Sequence, residues 1–212
     1  MPYTLYGSRR SGSCIVELAL AETRAPYDVQ DVDLRLDQQR DATYAAVNPQ
    51  RKLPALTMPN GETLTESVAI LLTLDRLHPD AKLMPPPQSG AYGQALRWLM
   101  FVATEIYPIV EINDYPERFV ADPAGDAKAM RENARRIWRD RWLIVEEHVA
   151  GAPFLLSGRF CLSDLYIAVV SRWAQQDDWR PGNIPKVEAL TQAVAGREAC
   201  APVWERHFAK TG

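Results

Sequence analysis

The chain has 212 residues, 47% of them hydrophobic and 24% charged, with a formal net charge of −3, so it can bury a sizeable core and lacks the basic excess of a nucleic-acid binder. Its three cysteines, Cys14, Cys161 and Cys200, are far apart and odd in number, which argues against a disulfide framework, and its three histidines, His78, His148 and His207, show no metal-ligand spacing and read as surface or helix-end residues. Neither a signal-peptide core nor an apolar run long enough to span a bilayer is found, so the expectation is a cytoplasmic protein without a metal or a membrane partner.

Residues 3–6 read as a strand, 7–12 as a polar loop, and 13–24 as a helix with Val16, Ala19 and Leu20 on one face. A second strand at 27–33 completes a strand–helix–strand unit, which implies a right-handed parallel pair. The charged stretch 35–47 reads as a loop and short helix. Segments 55–58 and 62–65 pair as a hairpin across Asn60-Gly61, a dipeptide suited to the positive φ of a two-residue turn, and 67–78 follow as a helix. The order βαβ then ββα, with a proline ahead of the third strand, fits an α/β thioredoxin-like domain over 1–79. Residues 80–90, with Pro85-Pro86-Pro87, read as a linker that can continue neither helix nor central strand. Beyond it, Ala95, Trp98, Leu99, Val102, Ile106, Ile109 and Val110 share a helix face, Pro108 should bend that helix near Tyr107, and helical patterns recur over 125–150, 163–178, 187–195 and 202–209. The expected second domain, 91–212, is therefore all α.

The stretch Lys52-Leu53-Pro54 through Glu66-Ser67 carries the chemistry. A proline ahead of an apolar run belongs at an edge or in a turn, and X-Pro is the bond where a cis peptide is cheap. A cis bond at Pro54 would turn the Leu53 N–H and C=O outward, able to pair with an extended peptide. Glu66 and Ser67 open a helix whose N-terminal amides and dipole favour a carboxylate, while the acid suits an ammonium. Together they fit an amino-acid head group, with Lys52 placed for a second carboxylate. Each feature alone also reads as ordinary structure, a strand-start proline and a helix cap.

These segments, with Asn48-Pro49, Leu64 to Ile70, Arg97-Trp98-Leu99, Ala103-Thr104-Glu105, Ser157-Gly158-Arg159-Phe160, Asp164 and Arg172-Trp173-Ala174, resemble the cytosolic glutathione S-transferases over essentially the whole chain, most closely their bacterial, beta-like members. The resemblance implies a glutathione transferase with glutathione as co-substrate and a small hydrophobic electrophile as partner, acting as a homodimer in which the first domain of one subunit meets the helical domain of the other. It implies that Leu53 pairs with the cysteinyl unit beside cis-Pro54, that Glu66 and Ser67 hold the γ-glutamyl end, and that Lys52 meets the glycyl carboxylate. It also implies an electrophile pocket between the domains lined by Met100, Ile106, Tyr107 and Trp173. Asp164 matches the acid of the family's helix-capping box, with Cys161 where a serine or threonine is usual, so it is expected to be structural.

A cysteinyl thiol titrates near 8.5, and lowering that by two units takes about 2.7 kcal/mol of preferential stabilisation of the anion. Three hydroxyls compete to supply part of it: Tyr6 at the strand end, Ser11 in the loop and Ser13 at the helix start. Ser11 stands at the spacing from Tyr6 where beta-like members carry a cysteine, but counting back from Glu22 gives a different register, so the choice stays open. Cys14 is expected inside the helix. A serine in place of the reactive cysteine favours thiolate attack over thiol reduction. The alternatives are a non-catalytic glutathione-fold protein that binds ligands or proteins, and a glutathione-dependent isomerase or dehalogenase in which the sulfur adds and later leaves.

Overall fold

Buried Tyr3, Leu5 and Gly7 alternate with half-buried Thr4 and Tyr6, the period-2 pattern of a central strand, and Tyr3–Gly7 is β1. Helix α1 (Ser13–Thr23) leads to β2 (Tyr27–Asp31), which pairs parallel to β1 with Leu5 opposite Val29. Two tight turns and α2 (Ala42–Val47) occupy the charged stretch. Strands β3 (Ala55–Thr57) and β4 (Thr63–Thr65) form the hairpin, with Gly61 at φ 91° as its turn requires. The sheet order is β2-β1-β3-β4, with β3 antiparallel to both neighbours. Helix α3 (Ser67–Leu77) follows. This is the α/β thioredoxin-like arrangement expected.

Contacts divide the chain into two compact units, residues 1–84 joined by the stretch from Ala195 onward, and residues 85–194; the computed structural model describes residues 1–151, 153–174 and 176–209. The first unit runs past the expected boundary because Leu83 and Met84 are buried and the Met84 N–H donates to Asp75 at 2.9 Å. Its core holds Leu5, Ile15, Leu18, Leu56, Ile70 and Leu74, all fully buried; each contributes roughly 1.5–3 kcal/mol.

In the second unit, Ser89 caps α4 (Gly90–Phe101) by accepting the Tyr92 N–H. The bend expected at Pro108 takes the form of a π-helical turn, Val102–Ile106, between α4 and α5 (Tyr107–Asp114). A proline removes one helical N–H and crowds the preceding turn, and widening that turn relieves both. Helices α6 (Pro123–His148), α7 (Leu162–Val170), α8 (Arg180–Asn183) and α9 (Pro185–Ala195) follow. The run 163–178, expected to be one helix, ends at Val170; the Ser171 hydroxyl bonds back to the Ala168 carbonyl and Ala174 sits at φ 62°. Buried Asp164 accepts the Cys161 N–H at 2.7 Å and the Leu155 N–H at 2.8 Å, so its role in the helix cap is structural. Beside it the Cys161 thiol is pushed up to about 12 by burial and by the carboxylate charge.

Helix α10 (Ala201–Phe208) belongs to the first unit, whereas the sequence placed it in the helical domain. The reason is a set of long-range polar contacts to α1: Arg197 forks onto Glu22 at 2.7 and 2.8 Å, and His207 meets Glu17 at 2.6 Å. With α3 against one side and α10 against another, α1 is buried without a break from Ser13 to Leu20, not only on one face. Among the described residues no helix is long and apolar enough to cross a membrane, and no group of three or more His, Cys, Asp or Glu side chains is arranged to hold a metal ion.

Candidate glutathione site

The turn from β1 into α1 is a knot of three serines. Ser11 Oγ lies 2.8 Å from the Ser8 carbonyl and 2.8 Å from Ser13 Oγ, and accepts the Ser13 N–H at 3.2 Å. Ser13 Oγ accepts the Ser8 N–H at 3.1 Å. Ser13 is 1% exposed and Ser11 half-buried, so Ser13 ties the strand end to the helix start while Ser11 keeps part of its surface open to solvent. It is Ser11, not Ser13, that caps the first helical amide. Gly7 makes room for this: a Cβ there would stand 2.5 Å from Ser13 Oγ. If Ser11 turns its proton outward, the Ser8 carbonyl keeps the Ser11 N–H at 3.2 Å and the Ser13 hydroxyl at 3.2 Å.

Tyr6 is half-buried with its ring 6.0 Å from that of Tyr44 on the α2 face of the sheet. Cys14 is fully buried, and burial, with the nearby Cys200, drives its thiol well above the usual range against a smaller opposing pull from Arg206. It stays protonated and out of reach of solvent.

The Leu53-Pro54 bond is cis. The carbonyl just before it, of Lys52, accepts the Tyr44 hydroxyl at 2.7 Å and Asn48 Nδ2 at 2.7 Å, and Asn48 Oδ1 in turn holds the Gln50 N–H at 3.0 Å. Asn48 is 1% exposed. The loop is thus pinned one residue short of Leu53, whose own N–H and C=O are used by no other described residue. Across the hairpin, Glu66 caps α3 at φ 62° and ψ 108°, a strained setting for a residue with a side chain, and its carbonyl receives the Ile70 N–H at 3.0 Å. Gln50 Nε2 donates to Glu66 Oε1 at 3.2 Å. Ser67, buried, begins α3, and Lys52 is exposed. Tyr44, Gln50 and Gly7 were not singled out from sequence; Asn48 was noted only within Asn48-Pro49, a segment resembling the family, without a role.

In the helical unit, the Tyr107 and Trp173 rings meet at 4.8 Å between centroids, tilted by 52°, with Tyr166 6.3 Å from Tyr107. Ile106 is 0% exposed. Met100 is 41% exposed, and no ring contact or hydrogen bond joins its side chain to the other three among the described residues. A separate hollow of about 320 Å³ is lined by Asn113, Asp114, Tyr115, Arg131 and Arg135. Its arginines are tied through Nε to the Asn113 carbonyl and side chain at 2.9 and 3.0 Å.

Residues 14–77 match the family model of the glutathione S-transferase N-terminal domain. The chain is 28% identical over 197 residues to glutathione S-transferase GstA of Escherichia coli O157:H7, covering 89% of this chain and 91% of that one. It is 28% identical over 164 residues to maleylacetoacetate isomerase of Dictyostelium discoideum, covering 74% and 68%. Among solved structures, a glutathione transferase homologue from Sulfitobacter with bound glutathione superposes at a TM-score of 0.88 and 25% identity over 96% of this chain and 97% of that one. The thioredoxin-like sheet, the matched N-terminal domain and relatives spanning nearly the full length agree: residues 14–77 match the glutathione S-transferase N-terminal domain, and the chain as a whole is similar to glutathione S-transferases.

Proposed function

We propose that the chain is a glutathione transferase that ionises the glutathione thiol and directs it at a small hydrophobic electrophile, with Ser11 as the donor to the sulfur. The observation that carries this reading is the main-chain pair of Leu53, used by no other described residue, next to a loop pinned through Lys52. That pair accepts the cysteinyl unit of an extended peptide as an added strand would. Glu66 and Ser67 then meet the γ-glutamyl ammonium and carboxylate, and Lys52 the glycyl carboxylate. The thiol proton leaves to solvent, the Ser11 hydroxyl and the first amides of α1 favour the anion, and the sulfur lone pair forms the bond to the electrophilic carbon. For an aryl halide, the carbon–halogen bond breaks and halide departs with its electron pair. In keeping with the family, the protein works as a homodimer in the cytoplasm, in detoxification.

Calorimetric titration with glutathione and turnover of an aryl halide by wild type, Ser11→Ala, Ser13→Ala and Tyr6→Phe test this reading. Loss of turnover with binding retained in Ser11→Ala alone is expected. Absence of glutathione uptake by the wild type would defeat it. The maleylacetoacetate isomerase relative favours a second reading, in which the sulfur adds to the substrate and later leaves. Under that reading glutathione is not consumed during turnover, whereas conjugation uses one equivalent per product.

A further inference from the structure

We propose that His207, near the end of α10, is a positioning residue that aims the Ser11 hydroxyl by holding the backbone of Arg10. The proposal rests on the reading of Ser11 as the donor to the glutathione sulfur. His207 is 4% exposed, and its Nδ1 accepts the Arg10 N–H at 3.0 Å. An N–H aimed at Nδ1 leaves the ring proton on Nε2, which donates to Glu17 Oε2 at 2.6 Å. Glu17, 1% exposed on α1, is also ion-paired with Arg206 and lies 3.5 Å from the Tyr27 hydroxyl, so its orientation is fixed from several sides. The imidazole therefore bridges a rigid helix to the residue just before Ser11.

That residue needs holding. Arg10 sits at φ 61°, the left-handed region that a side-chain-bearing residue keeps only when its surroundings enforce it. The end of α10 enforces it at successive positions. The His207 carbonyl accepts Arg9 Nε at 3.2 Å, the Ala209 carbonyl accepts Arg9 Nη2, and the Arg10 guanidinium stands 5.8 Å from the Phe208 ring centroid. Ser11 follows directly, half-buried, and carries a hydroxyl of the serine knot. Relaxation of Arg10 would swing that hydroxyl while leaving Leu53, Glu66 and Ser67 untouched, so the effect should fall on the sulfur and not on the affinity for the tripeptide.

Two substitutions separate the two ring nitrogens. In His207→Asn the side-chain oxygen can replace Nδ1 and keep the Arg10 N–H, but nothing reaches Glu17. In His207→Gln the amide nitrogen can replace Nε2 and serve Glu17, but the Arg10 N–H loses its acceptor. With thiolate absorption of bound glutathione as the readout, His207→Gln should raise the apparent thiol pKa and lower kcat/KM on the order of ten-fold or more, with glutathione affinity unchanged, whereas His207→Asn keeps thiol acidity near wild type. Equal thiol acidity in the two variants would overturn the proposal, whatever they do to stability. Amide exchange without ligand supplies a second readout: Arg10 and Ser11 should exchange faster in His207→Gln than in His207→Asn. A wild type that takes up no glutathione defeats the functional reading, while the exchange result still decides whether His207 holds the loop. Should His207→Gln not fold, nitrogen NMR of the wild type decides: a ring protonated on Nδ1 at neutral pH contradicts the geometry.

Discussion

Ser11 and Ser13 share one hydrogen-bonded knot, yet only Ser11 keeps part of its surface open to solvent, and their substitutions should fail in different ways. Ser11→Ala is expected to lower kcat/KM about a hundred-fold, equivalent to about 2.7 kcal/mol of lost anion stabilisation, with glutathione binding retained. Ser13→Ala strips the Ser8 N–H of its acceptor and should lower stability by about 1–3 kcal/mol in a urea melt while thiol acidity stays near wild type. His207 carries a pH signature of its own. Burial first, then Arg206 and Arg9, lower its folded pKa from 6.5 to about 4. Glu17 pulls the other way, but its charge is shared with Arg206, and the Arg10 N–H aimed at Nδ1 favours the neutral ring. Between those two values the unfolded chain binds a proton that the folded chain does not, so stability should fall as pH drops from about 6.5 toward 4, by up to ~3 kcal/mol. His207→Asn should flatten that slope in melts taken across the same range.

Helix α2 exists in this unit to hold a loop: Tyr44 and, just past its end, Asn48 both donate to the Lys52 carbonyl. Tyr44→Phe and Asn48→Ala should each weaken glutathione binding by about 1 kcal/mol, roughly five-fold in Kd, and calorimetry on the double variant should show coupling, since the two donors share one acceptor. The elements that position this site were legible where local chemistry fixes them. Pro54 and the opening of α3 at Ser67 each follow from a backbone preference that neighbours hardly alter, whereas the hairpin expected to turn on Asn60-Gly61 alone closes over three residues, Pro59 to Gly61, with the Met58 N–H on the Glu62 carbonyl at 2.7 Å and only Gly61 at positive φ. Long-range packing hid the rest. Nothing local marks Glu17 as buried or His207 as more than a helix-end residue, because both facts depend on α10 folding back onto α1. Ile106 carried two expectations, core and pocket wall; its side chain is 0% exposed, in step with buried Val102 and Val110 at ordinary helical spacing.

At the scale of the whole molecule, the homodimer proposal predicts a light-scattering mass twice that of the 23.9 kDa chain at micromolar concentration. Within the helical unit, Glu188 joins Arg172, in contact with its carboxylate, to Arg180 at 3.1 Å. Burial acts to raise the Glu188 pKa, but the two guanidiniums prevail and hold it below the usual range. Glu188→Gln would leave buried Arg180 without that partner and should cost about 3–5 kcal/mol, seen as a lower Tm. Recognition at Leu53 has a different consequence. A site that reads amide geometry is blind to the residue that presents it, so replacing Leu53 with valine or methionine should pass unnoticed by the tripeptide, while an ester analogue lacking the cysteinyl N–H should be rejected. Evolution can rewrite the letter at that position freely and still keep its grammar.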